Sequence, residues 1–230
     1  MNQLQTKLNR RRILTTAGAL GAAMAMPRAA SAQGLGLSSI LGQASDNALD
    51  KLAVPGAFYG DEDIRVGLPI VGNLGGGLFG SILGAGERLG LLDGVTRKIN
   101  DAAGIAAGEA KPIFRTAIDD ISWSDAPGIV RSQDGGTQYL RTSSNDQLHS
   151  KLEPLVDNAL EELGVYGEFE DLSNKHSFVR RAGLDRGSIN RSVTDQGLDG
   201  IFSYIGNEER TFRQNPVGNI GRTLGDLLGN

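Results

Sequence analysis

Between Lys111 and Leu163 the chain reads KPIFRTAIDDISWSDAPGIVRSQDGGTQYLRTSSNDQLHSKLEPLVDNALEEL, with apolar residues returning at helical spacing and serine-led helix starts recurring. Lys111-Pro112 opens a helix carrying Ile113, Phe114, Ala117, Ile118 and Ile121. Proline is tolerated in a first turn, where its missing amide has no intrahelical bond to lose. Ser124 caps a second start, because Pro127 then also falls in a first turn. Asp134-Gly135-Gly136 makes a turn, Thr137 to Arg141 a helical turn or two, and Ser144-Asn145-Asp146-Gln147 a capping box. The helix it opens carries Leu148, Leu152, Leu155, Val156, Ala159, Leu160 and Leu163, bends at Pro154 and stops at Gly164. No strand-length alternation occurs here or elsewhere, so the sequence predicts an all-α protein, an irregular helical bundle with this stretch as its packing hub.

Downstream, Val165 to Asn190 is the least regular part of the body. Val193 to Arg213 reads as a long helix with Leu198, Ile201, Phe202, Ile205 and Phe212 inward, broken by Asn215-Pro216. Ile220 to Leu228 closes the chain as a short amphipathic helix. Upstream, Glu87 to Ala110 carries Leu89, Leu92, Val95, Ile99 and Ala102 or Ala103 on one side, and Ser45-Asp46 caps a short helix stopped by Pro55-Gly56. From Val66 to Gly86 no residue is charged, and Gly72, Gly76, Gly80 and Gly84 recur every fourth position. One reading is an apolar loop or frayed helix, since each interior glycine costs a helix about 1 kcal/mol. The other is a smooth stripe, with Phe79 beside it, that meets a membrane, a lipid or a partner helix.

Residues 1–32 read as an export signal: Asn9-Arg10-Arg11-Arg12-Ile13-Leu14 leads an uncharged run, and Ala30-Ser31-Ala32 offers signal peptidase a small-x-small site. Arg10 and Arg11 beside Ile13-Leu14 resemble the twin-arginine motif, with the ordinary Sec route as the alternative. The expected partners are therefore one of these export machineries and signal peptidase, and the expected location is the periplasm. The division that follows is 1–32 signal, 33–63 N-terminal helix and linker, and 64–230 helical domain with a glycine-rich apolar segment at 66–90.

Composition narrows the chemistry. Of 230 residues none is cysteine, which excludes disulfides, iron–sulfur clusters, thiolate zinc, c-type haem and cysteine nucleophiles. With two histidines, no metal centre and no cofactor are expected. Five of the 23 basic side chains lie in the first 32 residues, leaving 18 against 27 acidic ones, so the body carries a formal −9 and repels phosphate backbones. No nucleic-acid partner is expected. The chain has no G-x-x-x-x-G-K-[ST], no G-x-G-x-x-G after a strand, no G-x-S-x-G elbow and no H-E-x-x-H. Asp119-Asp120 and Glu208-Glu209 are adjacent pairs that diverge on a helix, and neither His149 nor His176 has an obvious acid beside it in sequence.

Several pieces in order resemble one family: Asp63-Ile64-Arg65-Val66-Gly67-Leu68-Pro69, Lys111-Pro112-Ile113-Phe114 with Ala117-Ile118, Ser124-Asp125-Ala126, and Thr137-Gln138-Tyr139-Leu140-Arg141. Pro154-Leu155-Val156, Val193-Thr194, Leu198-Asp199-Gly200-Ile201-Phe202, Glu208-Glu209 and Arg213-Gln214-Asn215-Pro216 continue the series. The set is similar to the bacterial proteins grouped as domain of unknown function 4197. The resemblance implies a helical, exported protein and adds no reaction. The chain departs from it at Gly72 to Gly90, glycine-rich where relatives carry a charged amphipathic helix.

Within the matched pieces Arg65, Asp125, Arg141, Glu209 and Arg213, with Thr137 and Tyr139 nearby in sequence, form one candidate constellation. Its arginines and carboxylates make either a structural ion-pair network, the favoured reading, or the polar end of a ligand pocket. The function expected is periplasmic, non-enzymatic binding of an apolar ligand, a lipid or a cell-envelope partner. The alternative is a hydrolase that uses these interhelical carboxylates and arginines.

Overall fold

The computed structural model describes residues 26–68, 86–122, 132–181 and 183–214. The glycines 72, 76, 80 and 84, Phe79, Asp125, the Ser124 cap, the Arg10-Arg11 pair and the 220–228 helix lie outside the described residues. Within them every regular element is helical: α1 (Met26–Leu52), α2 (Ala57–Gly60), α3 (Gly86–Glu109), α4 (Lys111–Asp119), α5 (Gly135–Glu162), α6 (Val165–Lys175), α7 (Ser177–Arg181) and α8 (Arg186–Gln214). No helix among the described residues is long and apolar enough to cross a membrane.

Three expectations about helix starts are corrected. The short helix from Ser45 is the end of a 27-residue helix that already includes Ala30 and Ala32. Leu41, Ala44, Ala48, Leu49 and Leu52 form its buried stripe, and Ser45 lies within it, fully buried, so it caps nothing. Likewise Ser144 is buried inside α5, a continuous 28-residue helix that begins at Gly135, with Pro154 inside it. The supposed turn at Gly135-Gly136 is therefore a helix start. Finally, Val165 to Asn190 holds α6, α7 and the first turn of α8. A reciprocal cap sets that last start: Ser188 N–H donates to Asp185 Oδ1 (2.7 Å) and Asp185 N–H to Ser188 Oγ (3.0 Å).

The Lys111–Leu163 stretch packs as the hub of the bundle: α5 meets α8, α3, α4, α6 and α1, α4 fills the corner between α1 and α5, and α8 packs along both α1 and α5. Small residues let it do so. At Gly200 a Cβ would stand 3.0 Å from the Phe58 ring and 3.2 Å from Ile64 Cβ, so helix and loop approach to a distance at which a side chain would crowd both neighbours. Ile201, Phe202 and Ile205 enter the core, where the Phe202 ring meets Phe114 edge-on at 6.0 Å. The expected stripe on α3 is buried at Leu92, Val95, Ile99, Ala102 and Ala103, and extends to Ala106 and Ala107.

Residues 65–68 have no regular structure, yet the backbone of Val66 and Gly67 is paired. Val66 N–H donates to Asn100 Oδ1 (2.8 Å) and its carbonyl accepts from Asn100 Nδ2 (2.9 Å). Gly67 is held the same way by Gln196, at 2.8 Å and 3.1 Å. Two side-chain amides, one from α3 and one from α8, thus stand in for a neighbouring strand and satisfy buried peptide groups.

Candidate functional site

The N-terminus of α5 is built around a carboxylate delivered by α8. Glu209 is 1% exposed, and its oxygens accept from Gly136 N–H (3.0 Å), Thr137 N–H (2.8 Å) and Thr137 Oγ1 (2.7 Å). Arg213, one turn further along α8, donates Nε (2.9 Å) and Nη2 (2.6 Å) to the same group. A helix start presents unpaired N–H groups and partial positive charge, so a carboxylate seated there meets both needs. Gly136 is required by space: a Cβ would stand 2.8 Å from Glu209 Oε1. Beside this seat, Asp134 accepts from Ser132 Oγ, Gln138 Nε2 and Arg210 Nη1. The Ser132 hydroxyl, with the Arg210 charge, holds the Asp134 carboxyl below its usual range.

The structure brings Thr137, Glu209 and Arg213 together and gives the other described members of the constellation separate partners. Arg141 is exposed, ion-paired with Asp199 and lying 5.4 Å over the Phe202 ring. Arg65 donates Nε to the Tyr59 carbonyl (2.6 Å), and its guanidinium stands 4.7 Å over the Tyr59 ring, with Arg97 at 4.1 Å over the same ring. Tyr139 is half-buried on α5. Chemically the Glu209 seat is closed, its five donors arranged around one carboxylate, which is the arrangement of a structural network.

Three arrangements were not foreseen. His149 Nε2 lies 3.0 Å from Asp195 Oδ1, an acid that α8 brings to α5 from 46 positions away in the sequence. The second is a polar set between α5, α6 and α8: Arg186 donates to both oxygens of Asp157 (3.0 and 2.7 Å) and also to Glu161, and its guanidinium covers the Tyr166 ring at 4.5 Å. Tyr166 donates to Asp157 at 2.7 Å. The Arg186 bond holds the Asp157 carboxyl below its ordinary range, while burial together with that carboxylate pushes the Tyr166 phenol up. This set borders a cleft of about 310 Å³ lined also by Phe169, Glu170, Asn174 and Ile189.

The third is a groove of about 300 Å³ between α4 and α5. Pro112, Ile113, Thr116, Ala117 and Leu148 form its walls, and Gln147 and Lys151 stand at its edge. The apolar spacing of both helices was readable in sequence. The groove arises because α4 and α5 each turn part of their stripe toward α1 and α8 and meet each other less fully. Among the described residues no group of three histidine, aspartate or glutamate side chains is placed to hold a metal ion.

Comparison with known proteins gives a family and no activity. No curated protein and no solved structure matches the chain. The family model described as Protein of unknown function (DUF4197) matches residues 28–229, nearly the whole chain, and the chain therefore belongs to that family.

Proposed function

We infer that this is an exported, periplasmic, non-enzymatic protein that binds an apolar ligand, a lipid or an envelope partner. One contrast supports the reading: the polar constellation around Glu209 is closed by its own donors, while an apolar groove of about 300 Å³ stands between α4 and α5. Export rests on the sequence of residues 1–32, with Arg10-Arg11 ahead of an uncharged run and the Ala30-Ser31-Ala32 site. The alternative, a hydrolase using the constellation's carboxylates, is weakened because Glu209 already has five hydrogen-bond donors around it.

The test is to purify the protein from periplasm, weigh it by native mass spectrometry and float it with liposomes. The expected result is a bound small-molecule mass or co-flotation. A protein that stays in the cytosol defeats the export half of the reading. One that carries no extra mass, does not float and captures no envelope protein defeats the binding half.

A further inference from the structure

The groove between α4 and α5 is polar at one edge only. Its single wall hydroxyl, Thr116 Oγ1, is donated back to the Pro112 carbonyl at 2.9 Å, leaving Ile113, Ala117 and Leu148 to set the character of the surface. At the edge, Gln147 and Lys151 are four residues apart on α5 and so share one face of the helix. Among the described residues, neither the Gln147 amide nor the Lys151 ammonium has a hydrogen-bonding or ion-pair partner. Lys51, Lys98 and Lys111 hold Glu208, Glu168 and Asp50, whereas among the described residues Lys151 shares its lack of a partner with Lys175 and alone of the two lines this groove. In a body with a formal charge of −9, a free ammonium and a free amide above an apolar floor are a local reversal of sign.

We propose that this groove takes the tail of a single-chain anionic amphiphile, whose headgroup is received by the Gln147 amide and the Lys151 ammonium. The proposal rests on the reading that the chain binds an apolar ligand, and adds that ligand's charge and shape. An anionic oxygen pair accepts two such donors at once, and the charged one contributes the stronger bond. A volume of about 300 Å³ is at the small end of ligand pockets, which suits one acyl chain and not a two-tailed lipid. A neutral apolar molecule would gain nothing from the two exposed donors, which would stay hydrated beside it.

The experiment titrates the full chain with cis-parinaric acid and, separately, with its methyl ester, following probe fluorescence. Circular dichroism checks that each variant is folded. The acid is expected to bind about tenfold more tightly than the ester, the factor that one added charge-assisted contact of about 1.4 kcal/mol gives. Lys151→Gln is expected to bring the acid down to the ester's affinity, Lys151→Arg to restore the preference, and Thr116→Trp, an exposed position on the wall, to abolish binding of both. If acid and ester bind alike and Lys151→Gln changes neither, the anionic headgroup is wrong while apolar binding stands. If neither probe binds, this proposal and the apolar-ligand reading on which it rests both fall. If binding survives Thr116→Trp, the ligand sits elsewhere and the proposal is overturned.

Discussion

Two places on α5 treat their polar groups in opposite ways. At its N-terminus the backbone N–H groups of Gly136 and Thr137, the Thr137 hydroxyl and the Arg213 guanidinium all converge on Glu209, which is 1% exposed. Three turns on, Gln147 and Lys151 border an apolar groove with nothing in hand among the described residues. Saturation buries a charge and ties two helices together. An open pair of donors contributes nothing to the fold, which leaves it available to something outside it. The same helix thus carries a closed polar seat at its start and an open pair of donors further along its length.

The comparison breaks most visibly at Glu209. Glu209→Ala removes the acceptor shared by the α5 start and Arg213, and urea unfolding is expected to show a loss of about 3–5 kcal/mol, the usual cost of breaking a buried pair. An unchanged midpoint would mean that the seat holds nothing. Gly136→Ala comes next. Its Cβ would intrude to 2.8 Å of Glu209 Oε1, and overpacking of that kind costs about 1–3 kcal/mol, which the same melts would register. Arg141→Ala is expected to cost only about 0.2–1 kcal/mol, because its pair with Asp199 is more than half exposed on both sides. A loss as large as that of Glu209→Ala would place Arg141 in the buried network after all.

The subtlest effect depends on pH. Asp134 is held below its ordinary value by the Ser132 hydroxyl and Arg210, so the folded state favours its charged form. Its contribution is fully present above the unfolded carboxylate value near 3.8 and fades as pH falls through the lower folded value. Stability of Asp134→Asn and the parent, measured against pH, should therefore differ at neutral pH and converge in strong acid. A constant gap would assign the difference to shape and not to charge.

Sequence reading recovered what is local. The α3 stripe at Leu92, Val95 and Ile99, the proline start of α4 and the inward Leu198, Ile201 and Phe202 of α8 are all set by spacing within one helix, and the buried residues match them. What it misplaced were boundaries decided by distant partners. Ser45 and Ser144 look like caps because serine competes with helix locally, but both are buried in helix interiors where packing outweighs that preference. The true start of α5 depends on a carboxylate 73 positions away from Gly136, and no local pattern carries that information. The Glu209–Arg213 spacing of four residues was a readable hint, because it places both groups on one face of α8. Of the candidate site, Thr137, Glu209 and Arg213 stood in one set with Arg65, Asp125, Tyr139 and Arg141 and without Gly136, and tertiary packing alone shows which described members meet. Gln147 and Lys151 gave no signal at all, since an exposed glutamine and lysine on a helix look the same whether or not a groove lies beneath them.

The pairing of Val66 and Gly67 with Asn100 and Gln196 has a consequence in time as well as in space. Their amides belong to no helix or strand, and in an ordinary loop such protons would exchange with solvent almost at once. Here each is held by a side chain anchored on a different helix, at 2.8 Å in both cases. Deuterium should therefore enter Val66 and Gly67 only when α3 or α8 lets go, and these two protons become a clock for the opening of the whole bundle.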